Sequence, residues 1–351
     1  MSDLIATLRW LVDIPSVTGS EDRIATGVAE RLLPVWDVKG VQRIGNSLVV
    51  GERTGRPLIS LYGHLDTVPE QEENRGSHEE GGRLYGLGTS DMKAGLAVMV
   101  HLLEDASIRN GAYDVIAVFY DSEEGPFNEN GLIDVLEQES WLKESEFAIV
   151  LEPTALRLEL GCNGSMNGDV VFRGEAAHSA RPWLGDNAIT KAGGWLSALH
   201  EREPRVEILE DLEFREVVTV TRANGGIANN VVPAEFRLNI NYRFPPSLTV
   251  DDAKVRLRSI AADADDLRIH DAAPAGLIPE ANEHLVRLEH LLGGERFPKQ
   301  GWTDVARLTE LGIPAVNYGP GDPALAHRVG EWVRLADVEV AYEVLRCFLG
   351  S

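Results

Sequence analysis

Four short apolar runs, each ending abruptly in side chains that can bind a metal ion, constrain this chain more than any other feature. Residues 58–62 run into Gly63-His64-Leu65-Asp66-Thr67-Val68-Pro69, and residues 115–120 into Asp121-Ser122-Glu123-Glu124-Gly125. Residues 147–151 lead to Glu152-Pro153-Thr154, and residues 314–318 to Gly319-Pro320-Gly321-Asp322-Pro323, with His327 just beyond. Apolar runs of this length, bounded by turn residues, suit strands covered on both faces by helices. Open α/β sheets bind ligands outside the carboxyl ends of their strands. The four runs therefore predict that His64, the Glu123-Glu124 pair, Glu152 and His327 meet along one sheet edge. Asp91 joins them from the start of a buried helix predicted over 92–103, a position where an aspartate is ordinarily an N-cap. Asp66, two residues past His64, falls on the same side of extended backbone and is placed to accept the second ring N–H of His64.

Around these runs the pattern alternates. Helical spacing covers 3–13 up to Pro15, and a second helix starts at Ser20-Glu21-Asp22-Arg23 and carries Ile24, Val28, Leu32 and Leu33. Residues 48–50 read as a strand, and the polar stretch 70–83 as a loop. From about 165 to about 275 the order changes to strands near 166–172, 217–222, 235–244 and 267–271, with helices near 187–202 and 250–264. That β-α-β-β-α-β order is the split-βαβ arrangement. At 351 residues the chain exceeds what one hydrophobic core usually supports. The expected fold is α/β, with residues 1–164 and 276–351 forming a domain around a mixed central sheet flanked by helices. Residues 165–275 form an inserted α+β domain.

Charge narrows the function. With 33 basic against 56 acidic residues the formal charge is −23, which disfavours nucleic acids and anionic membranes as partners. Cys162 and Cys347 make no disulfide framework and fit a reducing compartment. No apolar run approaches the ~20 residues that span a bilayer, and Met1 to Ile5 begin no basic-then-apolar leader. A cytoplasmic location is expected.

Two histidines and several carboxylates without cysteine suit zinc or a neighbouring divalent ion. The set is too large for one tetrahedral catalytic ion, which takes about three protein ligands. It fits two ions, one on His64 and Glu152, the other on Glu124 and His327, with Asp91 bridging. Paired ions ~3.5–4 Å apart polarise a carbonyl and generate hydroxide near neutral pH. Glu123 is the spare carboxylate that takes the proton of the water. His78, His101, His200, His270, His284 and His290 read as structural or solvated, and Trp302 as core or pocket wall.

The motifs Gly63 to Pro69, Gly88-Thr89-Ser90-Asp91-Met92-Lys93-Ala94-Gly95, Ser122-Glu123-Glu124-Gly125 and Glu152-Pro153 resemble the metal motifs of the M20 metallopeptidase and deacylase family. The resemblance covers essentially the whole chain. It implies a zinc-peptidase-like catalytic domain holding two Zn2+ (or Co2+) ions, interrupted by a ferredoxin-like lid that usually forms a homodimer interface. It implies His64, Asp91, Glu124, Glu152 and His327 as ligands and Glu123 as general base, and Asp66 counts among the catalytic residues for its hold on the His64 ring. Further motifs are similar to the actinobacterial-type desuccinylase branch of that family: His178-Ser179-Ala180-Arg181-Pro182-Trp183, Asn187-Ala188-Ile189, Gly225-Gly226 with Asn230-Val231-Val232-Pro233, Asn241-Tyr242-Arg243-Phe244, Gly301 to Arg307, and Gly319 to Pro323.

That branch implies hydrolysis of N-succinyl-LL-2,6-diaminopimelate. Such a substrate carries several carboxylates, which the planar fork of arginine reads bidentately. Arg243 and Arg181 are the candidates, with Asn230 offering amide hydrogen bonds and Gly319 and Gly321 main-chain contacts. By the same resemblance, His178 reaches the active site of the partner subunit. The alternatives are an acetylornithine deacetylase or another N-acyl-amino-acid hydrolase with the same site. A non-catalytic binding relative would have lost ligands that are all present here.

Overall fold

The apolar runs of the sequence lie in strands that are buried along their whole length. The computed structural model of the chain describes residues 2–70 and 76–350. In chain order its strands are β1 (Val41–Ile44), β2 (Ser47–Val50), β3 (Leu58–His64), β4 (His78–Glu80), β5 (Arg83–Tyr85), β6 (Asp114–Tyr120), β7 (Phe147–Val150) and β8 (Leu158–Leu160). There follow β9 (Gly164–Arg173), β10 (Arg205–Leu209), β11 (Leu212–Gly225), β12 (Glu235–Phe244), β13 (Asp266–Ala273), β14 (Arg296–Pro298), β15 (Ala315–Asn317) and β16 (Trp332–Arg334). The chain divides into two compact units, one of Met1–Gly161, Leu277–Phe297 and Thr303–Ser351, the other of Cys162–Gly276 and Pro298–Trp302.

In the first unit the described residues form a mixed eight-stranded sheet in the order β1-β2-β6-β3-β7-β15-β8-β14. Its centre, β6-β3-β7-β15, is parallel, and β2 and β8 flank it antiparallel. The register sets the parallel strands level: His64 is opposite Tyr120, and both Tyr62 and Asn317 are opposite Val150. Four chains therefore leave the sheet on one edge within a residue or two of each other. The helix Ala94–Glu104 packs on β3 and β6 and is covered in turn by helices Ser2–Val12, Asp22–Trp36 and Leu335–Leu349. Enclosed in this way it buries Ala94 to Val100 without a break. The other sheet face buries Tyr62, Ile116, Val118 and Tyr120 against the helix Leu132–Gln138 and against Val305 and Leu308. At roughly 1.5–3 kcal/mol per fully buried aliphatic or aromatic side chain, this core holds the strand ends rigid.

The second unit is a five-stranded antiparallel sheet, β10-β11-β12-β9-β13. The helices Ala188–Lys191, Gly193–His200 and Val250–Ile260 belong to it, and Trp195, Ala253 and Leu257 share a core with Phe172, Ile240 and Tyr242.

Four local expectations are corrected. The strand predicted over 58–62 continues to His64, because its ladder with β6 does not stop at the apolar residues. The helix predicted from Met92 starts at Ala94, since Asp91 (φ −120°, ψ 93°) and Met92 are not helical. In the polar stretch 70–83, residues 71–75 lie outside the described residues. The remainder holds β4 and most of a hairpin with β5, turned by Gly81 and Gly82 at φ 59° and 74°. Paired positive φ values are what a two-residue hairpin loop requires. The same device, Glu210 and Asp211 at φ 47° and 67°, joins β10 to a β11 that begins at Leu212, earlier than the expected 217. Among the described residues no helix is long and apolar enough to cross a membrane.

Candidate active site

The site is built at the level edge of the parallel strands. His64, the last residue of β3, is buried, and its Nδ1 donates to the backbone carbonyl of Asp66 at 3.0 Å. That bond turns Nε2 toward Asp91 Oδ1 at 3.2 Å and Glu152 Oε1 at 3.7 Å. The Asp66 carboxylate is farther from the ring, 3.5 Å from Nδ1. Its oxygens instead accept the backbone N–H groups of Glu123 and Glu124 at 3.0 Å each, and the Thr18 hydroxyl at 2.9 Å. The main chain of Asp66 thus orients His64, while its side chain fixes the turn that follows β6. Ser122 enters that turn at φ 60°, a region non-glycine residues seldom occupy.

Glu124 Oε1 lies 2.7 Å from His327 Nε2, and Asp91 Oδ2 lies 3.5 Å from the same nitrogen. His327 itself has φ 60°. Asp91 therefore offers one oxygen to His64 and the other to His327. Its carboxylate caps no helix: the helix behind it opens at Lys93 without a side-chain cap. Two groups share Asp91, namely His64-Asp91-Glu152 and Asp91-Glu124-His327, each with its donor atoms within 4.8 Å of one another. Glu123 joins His64 and Glu124 at the same spacing. The donors are all imidazole nitrogen or carboxylate oxygen, with one carboxylate common to two sets, and this chemistry fits a pair of divalent ions.

Charge is strongly coupled here. Burial pushes the His64 pKa down, but hydrogen bonds to Asp66 and Asp91 and the charge of Glu123 override it and hold the pKa well above the ordinary value. Hydrogen bonds to Asp91 and Glu124 raise His327 to about 10 against its burial. Burial tends to raise Asp91, yet the two imidazoles keep it below the usual carboxylate range. Glu123 goes the other way: burial, then Glu124 and Glu152, raise its pKa well above that of a free glutamate, against the opposing pull of His64. Carboxylates driven apart in this way are a signature of divided acid–base roles.

Gly319 and Gly321 lie in a buried turn after β15. The Gly319 N–H donates to Thr154 Oγ1 at 3.2 Å, and a β-carbon at Gly319 would meet the carbonyls of Leu151 and Glu152 at 2.5 and 2.6 Å. In the second unit His178, Arg181 and Asn230 are exposed and adjacent. The Ser179 N–H donates to the Asn230 carbonyl at 2.9 Å and the Arg181 N–H to the His178 carbonyl at 2.8 Å. His178 Nδ1 accepts the Ala180 N–H at 3.1 Å. Arg243, near the end of β12, donates through Nε to Asn241 Oδ1 at 2.9 Å. Away from this site, the buried His284 packs against Tyr113 and Phe147 and sits 3.2 Å from a carboxylate oxygen of Glu146.

Two residues at the site escape the sequence reading. Thr18, from the loop before the second helix, holds Asp66. Glu331, which is 1% exposed, accepts the backbone N–H groups of Gly88, Ser90 and Asp91. Burial raises its pKa to about 7 in spite of those bonds. No signal in the sequence marks either one, because a threonine in a polar loop and one acid among 56 have no distinguishing neighbours.

The family model for peptidase family M20/M25/M40 matches residues 60–351. The chain is 40% identical to the putative succinyl-diaminopimelate desuccinylase of Mycobacterium tuberculosis, over 99% of this chain and 98% of that protein. It is 34% identical to the succinyl-diaminopimelate desuccinylase of Corynebacterium glutamicum, over 100% and 97% of the two chains. The crystal structure of an M20 family metallo-carboxypeptidase from Sulfolobus solfataricus shares the fold, with a TM-score of 0.79 at 18% identity over 100% and 99% of the two chains. The family model covers most of the chain and these two relatives match it along nearly its full length, and the chain belongs to the M20/M25/M40 peptidase family.

Proposed function

We propose that this chain is a two-metal amidohydrolase that splits N-succinyl-LL-2,6-diaminopimelate into succinate and LL-2,6-diaminopimelate. The observation that carries the reading is the pair of donor groups sharing Asp91, with Glu123 beside them. Identity of 34–40% along the full chain to proteins named for that reaction supports the substrate.

His64, Asp91 and Glu152 would hold one ion, and Asp91, Glu124 and His327 the other, with zinc or cobalt suited to the donors. Bound there, the ions would supply Lewis acidity toward the scissile carbonyl and lower the pKa of the attacking water so that it can give up a proton near neutral pH. Glu123 takes the proton of that water on a carboxylate oxygen and delivers it to the departing amine, a task suited to a carboxylate that burial makes more basic than a free glutamate. Asp66 keeps Glu123 in reach by holding its backbone N–H. Arg243 and Arg181 pair with substrate carboxylates, and Asn230 donates from its amide. Gly319 and Gly321 form the turn whose main chain borders the substrate. The second unit is read as a ferredoxin-like lid through which two copies form a homodimer, and His178 as an oxyanion donor supplied to the site of the partner subunit. The protein is expected to act in the cytoplasm on a free small-molecule substrate.

The deciding experiment is a comparison of kcat/KM for N-succinyl-LL-2,6-diaminopimelate, N-acetylornithine and dipeptides on zinc- and cobalt-loaded protein. Preference for the succinylated substrate by at least about tenfold, a margin of roughly 1.4 kcal/mol in transition-state binding, upholds the proposal. Preference for N-acetylornithine would reassign the chain to deacetylation.

A further inference from the structure

Asp91 lacks the usual means of holding a ligand in place. It is not on the regular part of a strand or helix: residues Thr89–Lys93 form an irregular turn, and no ladder of repeating hydrogen bonds sets its main chain. Yet its two carboxylate oxygens must serve two different sides, facing His64 and His327 at 3.2 and 3.5 Å. A shift of a few tenths of an ångström in its backbone would favour one side over the other.

The main chain around Asp91 converges instead on a single buried side chain. Glu331 Oε2 accepts the Gly88 N–H at 2.9 Å, while Oε1 accepts the Ser90 N–H at 2.6 Å and the Asp91 N–H at 2.9 Å. Three backbone N–H groups turned on one anion make a nest, and both carboxylate oxygens are used. Glu331 is itself anchored at the start of β16, where its carbonyl accepts the Gly86 N–H at 3.1 Å and where Val333 pairs with Leu84. It also stands four residues after His327. One side chain thus ties the turn carrying Asp91 to the loop carrying His327.

We propose that Glu331 is the positioning residue for Asp91, fixing the turn so that each of its carboxylate oxygens faces a different histidine. The inference rests on the two-metal reading of the site, and it assigns Glu331 no contact with substrate or ion. A glutamine at this position has the same shape but sets an NH2 group against at least one of the three N–H donors. An aspartate keeps the charge and falls short by one methylene.

The test uses the full-length protein, stripped of metal and titrated with Co2+, with binding followed by calorimetry and by the visible absorption of the cobalt. Amide exchange at Gly88, Ser90 and Asp91 is measured on the metal-free protein. Glu331→Gln is expected to weaken cobalt binding by about 10- to 100-fold, the usual cost of losing a group that orients a ligand. It should also alter the cobalt spectrum, speed exchange at the three amides and lower kcat with KM little changed, and Glu331→Asp should fall in between. Wild-type cobalt affinity, spectrum and amide protection in a folded Glu331→Gln protein would overturn the proposal. Should Glu331→Gln fail to fold, the same measurements on Glu331→Asp decide, and wild-type behaviour there overturns it equally. A wild-type chain that binds one cobalt ion would defeat the two-metal reading. The Glu331 assignment would still stand or fall on whether the variants weaken that ion and loosen the three amides.

Discussion

Asp66 Oδ1 accepts the backbone N–H of Glu123 at 3.0 Å. The residue that orients His64 through its main chain thereby also sets where the side chain proposed as general base begins. Because Oδ2 takes the neighbouring Glu124 N–H, both oxygens are committed. Asp66→Asn must turn its NH2 group on one of these donors. We predict a fall in kcat of about 10- to 100-fold, within the range typical for partners that orient ligands, with metal content unchanged. Metal analysis alongside steady-state kinetics checks this, and a variant with wild-type kcat would refute the role.

Glu123→Gln keeps the shape of the side chain and removes its basicity. Metal content should persist while turnover falls by ~10²–10⁴-fold, the usual contribution of a positioned proton carrier. Loss of metal together with activity would instead make Glu123 a ligand.

Loading the metal-free protein near pH 7.5 should release protons. His327 is raised from 6.5 to about 10, so its favourable contribution to the metal-free fold is complete below 6.5 and is lost as pH rises toward 10. His64 is shifted in the same direction. Ions bind neutral imidazole, so each histidine that becomes a ligand must give up its proton. Binding should weaken as the pH is lowered. Calorimetric titration with zinc in buffers of different ionisation enthalpy measures the release, and heats independent of buffer would contradict it.

How much of this was legible in the sequence depended on whether a residue's signal was local. His64, Glu123, Glu124 and Glu152 each follow an apolar strand closely, and strand identity plus parallel order is enough to bring their positions together. Asp91 was legible as a bridging ligand through its company, but its local pattern suggested a helix cap, because the irregular turn that frees its carboxylate has no propensity signature. Glu331 and Thr18 act through contacts 240 and 48 residues away in sequence, and nothing near them in the chain reports such a partner. The missed hairpins turn on left-handed Glu210-Asp211 and on Gly81-Gly82, short devices easily read as loop.

Gly319 shows what close approach demands. A β-carbon there would press on the Leu151 and Glu152 carbonyls, and one at Gly95 would strike the Leu151 carbonyl as well. The chain entering Glu152 is thus clamped between two glycines. Gly319→Ala should cost about 1–3 kcal/mol, as overpacking usually does, and should weaken metal binding through displacement of Glu152. Thermal unfolding of metal-free protein isolates the first effect and zinc titration the second. Unchanged stability would mean that the turn relaxes freely.

The last prediction concerns His178. It is exposed, and its only described side-chain hydrogen bond is the one Nδ1 accepts from the Ala180 N–H. That bond leaves Nε2–H as the ring's donor. An imidazole donor aimed at a developing oxyanion is worth ~3–4 kcal/mol when deleted, so His178→Ala should lower kcat by about 10²–10³-fold without loss of metal. In a two-fold homodimer each site would borrow this residue reciprocally. His178→Ala and Glu123→Gln, each nearly inactive alone, should then recover activity when their subunits are exchanged. The mixed dimer has one site with Glu123 from one chain and His178 from the other, so recovery should approach half of the wild-type value in that species. Proven exchange without recovery would show that His178 serves its own chain or plays no part in the reaction.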